Sequence, residues 1–285
     1  MTNTDPLIKR EKIDDSAAIE YLLYEGNGPT ILFLHGTGFL PWLWHPLARR
    51  LNDEFRIIAP FFCDHRDAEP EEGGLKWKNL AEDFCEFCHR LDISNPYFVA
   101  HSMGATVATI AASIDPGLPQ RMILMEPIFL PEQRYSTSIT VDQHPLASKS
   151  IKRRNEWKDR NEARQYLLAR ALYRSWDTEM VDLFLNHGMV ENTAGSIELA
   201  CSPRREAAVF MGGLHYNPWP LLSGIQCPVL VLEGAESENR SFIDLRKATS
   251  LFPQGEYRLF EGVGHTIPME IPEEITAIIR GFCHS

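Results

Sequence analysis

Twenty residues, Asn95 to Ile114, restrict more than any others what this chain can become. Tyr97 to Ala100 is a short apolar run suited to a buried strand. From Met103 onward the residues are small and apolar, as in a helix packed closely against a sheet. Between them stands Ala100-His101-Ser102-Met103-Gly104, or small-x-Ser-x-small, the pattern of a nucleophile elbow. In such an elbow the strand turns so sharply into the helix that bulky side chains two positions before or after the serine would strike neighbouring backbone. Ala100 stands where glycine is usual, and it is small enough to fit. The turn also sets Ser102 at a helix N-terminus, where unpaired N–H groups and the helix dipole favour negative charge. A serine here could equally be a helix N-cap, so the remainder of the chain has to discriminate between the two.

A chain of 285 residues has room for one large α/β domain or two smaller ones. Its hydrophobic fraction, 44%, is that of a globular protein. No apolar run approaches the roughly 20 residues that span a bilayer, and Met1 to Lys12 is polar and charged without a signal-peptide core. The expectation is a cytoplasmic protein with no membrane partner. The net charge of −11 speaks against nucleic acid. The cysteines, Cys63, Cys85, Cys88, Cys201, Cys227 and Cys283, are expected as thiols rather than a disulfide framework. Cys85-Glu86-Phe87-Cys88-His89 matches a c-type haem attachment spacing. It lies within an amphipathic helix pattern from Leu80 to Leu91, and haem attachment goes with export. Cysteines packed as small hydrophobes are the expected reading.

Taken in order, Ile13 to Tyr24 alternates loosely and reads as a hairpin at a sheet edge. Thr30 to Leu34, Phe55 to Ala59, Tyr97 to Ala100 and Arg121 to Met125 read as strands. Trp42 to Leu51, Leu75 to Leu91 and the segment after Ser102 read as helices, and Phe61 to Gly74 as a long acidic loop. Strand and helix alternating in this way imply a mostly parallel sheet covered on both faces. From about Leu130 to Asn217 the patterns are helical, with no convincing strand. The alternation resumes with strands at Pro228–Leu232 and Glu256–Phe260 and helices at Ser241–Leu251 and Pro272–Phe282. The expected organisation is an α/β core of residues 1–130 and 218–285. Residues 131–217 would form a helical cap over the carboxyl ends of the strands, where open α/β sheets place their ligand sites.

Ser102 needs a base, and His265 is the best placed of ten histidines. It follows the last strand in Glu261-Gly-Val-Gly-His-Thr, a glycine-loosened loop able to bring an imidazole back toward the elbow. His35 more naturally braces the loop that follows its strand. His101, the immediate neighbour of Ser102, points away from it.

Together His35-Gly36, the Ala100–Gly104 elbow, the inserted cap, Gly234 after the seventh strand and Gly264-His265 resemble the α/β-hydrolase superfamily over nearly the whole chain. The similarity is strongest to its capped branch, which includes esterases, C–C hydrolases, haloalkane dehalogenases and epoxide hydrolases. The resemblance implies an eight-stranded, mostly parallel sheet and a nucleophile–acid–histidine triad in that chain order. Many members carry the acid after the seventh strand, where Ser237 stands in this chain. Others place a glutamate directly after the sixth strand, and here Met125-Glu126-Pro127 fills that place. Glu126 is the favoured acid and Glu236 the alternative. The oxyanion donors would be the backbone N–H groups of Thr37 and Met103. Dehalogenases and epoxide hydrolases attack with aspartate at position 102, so a serine excludes those chemistries.

The expected activity is acyl transfer to water through Ser102, His265 and Glu126, with no metal or organic cofactor. A carboxylic ester is the default substrate, and thioesters, lactones or C–C bonds would use the same groups. A cofactor-free haloperoxidase or perhydrolase, and a catalytically silent ligand receptor, stay open. Cap aromatics such as Trp157, Tyr173, Trp176 and Phe184 could roof a pocket. Residues 149–174 hold nine Lys or Arg against three acids, a local net of +6. Such a stretch reads as a solvated helix face with i,i+4 pairs, or as a mouth for an anionic small-molecule substrate. Arg153 and Arg154 are its test positions. Homo-oligomerisation stays open.

Overall fold

The computed structural model describes residues 5–62 and 65–284. Cys63, part of the acidic loop at 63–64 and the first four residues of the polar N-terminus lie outside the described residues. The chain begins with β1 (Leu7–Lys12), β2 (Ala18–Tyr24), β3 (Thr30–Leu34), α1 (His45–Leu51) and β4 (Arg56–Pro60). It continues with α2 (Trp77–Arg90), β5 (Tyr97–His101), α3 (Met103–Ile114) and β6 (Arg121–Met125). An insertion follows, with α4 (Pro145–Lys152), α5 (Arg160–Leu168), α6 (Ala171–Arg174), α7 (Thr178–His187), β7 (Met189–Glu191), β8 (Ile197–Leu199) and α8 (Pro203–Gly212). Then come β9 (Val229–Gly234), α9 (Leu245–Leu251), β10 (Gly255–Phe260), α10 (Ile267–Glu270) and α11 (Pro272–His284).

Eight strands form one sheet in the order β1-β2-β4-β3-β5-β6-β9-β10. β2 runs antiparallel to β1 and β4, and every other neighbouring pair is parallel. The central strands are continuous apolar runs because both faces are covered. Leu32, Leu34, Phe98, Ala100, Met122, Leu124, Val229 and Val231 face a core shared with α2, α3 and α9. Their neighbours Ile31, Phe33, Val99, Ile123, Met125, Leu230 and Leu232 face a second core shared with α1 and α11. The insertion extends this second core, through Trp157, Tyr173, Trp176, Met180 and Phe184. Cys85 and Cys88 lie buried on α2, and Cys85 Sγ is 3.7 Å from the Ala111 carbonyl of α3. His89 instead pairs with Asp115 at the surface. Among the described residues no helix is long and apolar enough to cross a membrane.

Two expectations are corrected. The edge hairpin is Leu7–Tyr24, not Ile13–Tyr24, and residues 13–17 are its turn. There Asp14 Oδ1 accepts the N–H groups of Ser16 and Ala17, at 2.7 and 2.9 Å. β1 is almost wholly exposed, so burial imposed no apolar alternation on Leu-Ile-Lys-Arg-Glu-Lys. The insertion also contains strands, since β7 and β8 form an antiparallel hairpin. Three-residue strands are too short for a period of two to register. The hairpin turns where Asn192 Oδ1 accepts the N–H groups of Ala194 and Ser196.

Candidate active site

β5 ends in the sharp turn that its small residues allow. Ser102 has φ 55° and ψ −122°, an unusual conformation for a residue with a Cβ. Its N–H continues the ladder to the Met125 carbonyl at 2.9 Å, which holds the strained residue in place. A Cβ on Gly104 would lie 2.6 Å from the carbonyl oxygens of both Leu34 and His35, so α3 can approach β3 only with glycine there. Ser102 occupies the N-cap position of α3 but makes no side-chain cap hydrogen bond. Its Oγ instead lies 3.1 Å from His265 Nε2.

The loop after β10 carries His265 back over the sheet. On the far side of its ring, Nδ1 is 2.9 Å from Glu126 Oε2. Glu126 follows β6 directly, with φ 51° and 1% exposure. A carboxylate buried so deeply is costly unless its oxygens are bonded. Oε1 accepts the Gly234 N–H at 2.8 Å, and Oε2 accepts the Ser237 hydroxyl at 2.6 Å in addition to facing His265. The Asn239 side-chain amide also stands 3.0 Å from His265 Nδ1. Ser237, just after β9, thus donates to the Glu126 carboxylate. Glu236 is exposed, and its own N–H is bonded to the Val263 carbonyl, so the carboxylate facing His265 is that of Glu126. The roles of Ser237 and Asn239 had one legible signal, a polar pair just after the seventh strand of the main sheet.

The segment His35-Gly36-Thr37-Gly38 packs against the elbow. A Cβ on Gly36 would stand 3.1 Å from Ser102 Cβ, so the loop carrying Thr37 passes beside the serine at Gly36. Met103, the first residue of α3, is fully buried and has one of the N–H groups that a helix leaves unpaired at its start. His35 braces this loop. Its Nε2 accepts the Phe62 N–H at 3.0 Å, and its Nδ1–H donates to the Gly36 carbonyl at 2.9 Å. Burial pushes its pKa down to about 4, against the opposing hydrogen bond to Gly36. His101 finds its hydrogen-bond partner elsewhere than on Ser102. It is fully buried, and its Nε2 is 2.9 Å from the His265 backbone carbonyl. Burial first, then the neighbouring His265, pushes its pKa down to about 3.

The ion pairs of the basic stretch reach beyond a single helical turn, some within the stretch and some outside it, which corrects the expectation of i,i+4 pairs. Arg164 pairs with Asp182, and Arg153 Nη1 pairs with Glu206 Oε2 at 2.8 Å. Arg154 binds Glu162 and the Glu156 carbonyl and lies over the Trp157 and Tyr166 rings. Arg153 differs from Arg154 in its location. A Cβ on Gly38, which has φ +74°, would collide with the Glu206 carboxylate, so the Arg153–Glu206 pair sits directly on the loop that carries Thr37. Burial opposes the charge on Arg153, but Glu206 and Tyr173 beside it outweigh this and raise its pKa. Phe39 of the same loop meets Trp176 edge-on at 5.4 Å, and Trp176 meets Tyr173 at 4.8 Å. Three of the described thiols are held away from the thiolate that a nucleophile needs. Burial pushes Cys85 and Cys283 up to about 12 and Cys227 up to about 11.

Comparison with known proteins agrees with this architecture. The chain is 25% identical over 258 residues to the 2-(acetamidomethylene)succinate hydrolase of Mesorhizobium japonicum, covering 90% of this chain and 89% of that one. It is 24% identical over 277 residues to the sn-1-specific diacylglycerol lipase ABHD11 of Xenopus laevis, covering 94% and 84% of the two chains. The crystal structure of E-2-(acetamidomethylene)succinate hydrolase superposes with a TM-score of 0.82 at 21% identity, over 98% of this chain and all of that one. The family model for alpha/beta hydrolases matches residues 31–278, nearly the full length, and the chain therefore belongs to the alpha/beta hydrolase family.

Proposed function

We propose that this protein is a serine hydrolase that cleaves a carboxylic ester, or a related acyl derivative, through an acyl-enzyme. The observation that carries the reading is the single line of contacts from Ser102 Oγ to His265 Nε2 and from His265 Nδ1 to Glu126. Ser102 Oγ attacks the carbonyl while His265 Nε2 takes its proton. Glu126 holds the Nδ1–H tautomer and stabilises the imidazolium. The N–H groups of Thr37 and Met103 receive the oxyanion. His265 then protonates the leaving group and activates the water that releases the acid. A relative that is a diacylglycerol lipase supports ester cleavage. The test is labelling with a fluorophosphonate and mass mapping of the adduct. The expected result is one adduct on Ser102, lost in Ser102→Ala, followed by turnover on a panel of esters and thioesters. A folded wild type that stays unlabelled at Ser102 would overturn the reading and point to a silent ligand-binding fold.

A second reading concerns what the substrate carries. The M. japonicum relative is named for a succinate derivative, and Arg153 stands beside the Thr37 loop with Glu206 as its partner. An acidic substrate whose carboxylate displaces Glu206 on Arg153 fits both facts. It also leaves room for scission of a bond other than an ester. Arg153→Met combined with Glu206→Gln avoids stranding a buried charge. The double variant should lower kcat/KM for monomethyl succinate by roughly 10- to 100-fold, the weight of a hydrogen bond to a charged group. Methyl butyrate should be hydrolysed as before. Equal losses on the two esters would remove Arg153 from substrate binding.

A further inference from the structure

His265 sits on a loop, yet its carbonyl and the N–H groups of both its neighbours are bonded. Glu270, five residues on, reaches back with its carboxylate. Oε2 accepts the Gly264 N–H at 2.9 Å and Oε1 accepts the Thr266 N–H at 3.1 Å. The N–H groups of the residues on either side of His265 are thus gripped by one side chain. His101 Nε2 meets the carbonyl of His265 itself. The Thr266 hydroxyl, 1% exposed as a residue, donates to Glu270 Oε1 at 2.7 Å. That leaves its oxygen one role as acceptor, and the donor comes from the insertion. Trp176 Nε1–H bonds to Thr266 Oγ1 at 2.9 Å. One residue further, the Asp177 N–H bonds to the Met269 carbonyl at 2.8 Å. Two successive residues of the insertion are therefore tied to the segment that positions His265.

We propose that Trp176 is a positioning residue, which couples the seating of the insertion to the placement of His265 through Thr266 and Glu270. The inference rests on the reading of His265 as the base. Physically, the Thr266 hydroxyl can satisfy Trp176 and Glu270 together in one rotamer only. When the insertion sits down, that rotamer is selected, the Glu270 carboxylate is held, and the Gly264–Thr266 backbone is fixed. When the insertion lifts, Trp176 Nε1 leaves and the hydroxyl is free to turn. The His265 loop then keeps the Glu270 grip but loses its outer anchor. A displacement of about 1 Å in a catalytic group costs on the order of 100-fold in rate, so a modest loosening is measurable. The seating of the insertion thereby sets the reactivity of the serine. The aromatic contacts of Trp176 with Phe39 and Tyr173 hold the indole itself in register.

The experiment uses conservative variants of the full chain. Trp176→Phe keeps a ring and removes the N–H. Thr266→Val keeps the shape and removes the hydroxyl, and Thr266→Ser restores it. Two quantities are measured, the second-order rate of fluorophosphonate labelling at Ser102 and amide hydrogen exchange over residues 264–266. Trp176→Phe and Thr266→Val should each slow labelling by about tenfold, within the range expected for displaced catalytic groups. The double variant should be no slower than the worse single one, because both remove the same bond. Thr266→Ser should label at nearly the wild-type rate. Trp176→Phe should also speed exchange at Gly264 and Thr266, although it lies in another segment. Multiplying effects in the double variant, or unchanged exchange in Trp176→Phe, would overturn the coupling. Should the wild type fail to label, the hydrolase reading fails while exchange still decides the coupling.

Discussion

Exchanging Glu126 for glutamine is expected to lower kcat by about four orders of magnitude with the fold intact, since an amide turned toward Nδ1 selects the wrong tautomer of the base. The two oxygens of Glu126 now take the Gly234 N–H, the Ser237 hydroxyl and His265 Nδ1. Glutamine could keep the bond from the Gly234 N–H through its oxygen and turn its NH2 toward His265. Nδ1 would then have to accept, Nε2 would carry the proton, and Ser102 would face a donor in place of a base. Glu236→Gln is the companion variant. Its side chain is exposed on the loop after β9, and its kcat should stay within about twofold of wild type, as surface changes do. Steady-state kinetics of the two variants on one ester separate them. A large loss in Glu236→Gln with little in Glu126→Gln would reverse the assignment of the acid.

The second large effect is on stability. Lowering the pH from 7 to 5 should destabilise the protein by about 4 kcal/mol through two histidines alone, roughly 2 kcal/mol each. His35 and His101 are fully buried and held neutral, with folded pKa values of about 4 and about 3 against an ordinary 6.5. Unfolding exposes both to water, where they protonate below about 6.5. Between that value and their folded pKa values the unfolded chain binds more protons than the folded one. Their contribution is therefore complete above about pH 6.5 and is lost as pH falls toward 4 and then 3. Against a total stability of about 5–15 kcal/mol, 4 kcal/mol is a large fraction. Urea unfolding at pH 7 and pH 5 measures it. A His35→Gln, His101→Gln double variant should lose most of that pH dependence, whatever its stability at pH 7. An unchanged pH dependence in the double variant would assign the acid lability to other groups.

Local pattern carried the sequence a long way. The strands at Thr30–Leu34 and Arg121–Met125 begin and end where their apolar runs do, because strands buried on both faces have no polar side to blur their limits. The elbow was legible because its steric demand falls on five consecutive residues, and the loop of His265 because its glycines announce a bend. β1, exposed on an edge, and the short strands β7 and β8 left no such trace.

By itself, then, the sequence determined the alternation of strand and helix, the break after β6, and the serine and histidine that the chain order allows to meet. Tertiary structure alone decided the rest. It placed Glu126 rather than Glu236 against His265 and turned Ser237 into a donor for Glu126. It also separated Arg153 at the Thr37 loop from Arg154 on the surface, and it joined Trp176 to Thr266 across 90 positions. The physical reason is one of range. Burial and steric limits act on neighbours and leave a periodic trace. Partners of a carboxylate or an indole N–H depend on the angle at which a distant loop leaves the sheet, and no local pattern records that angle.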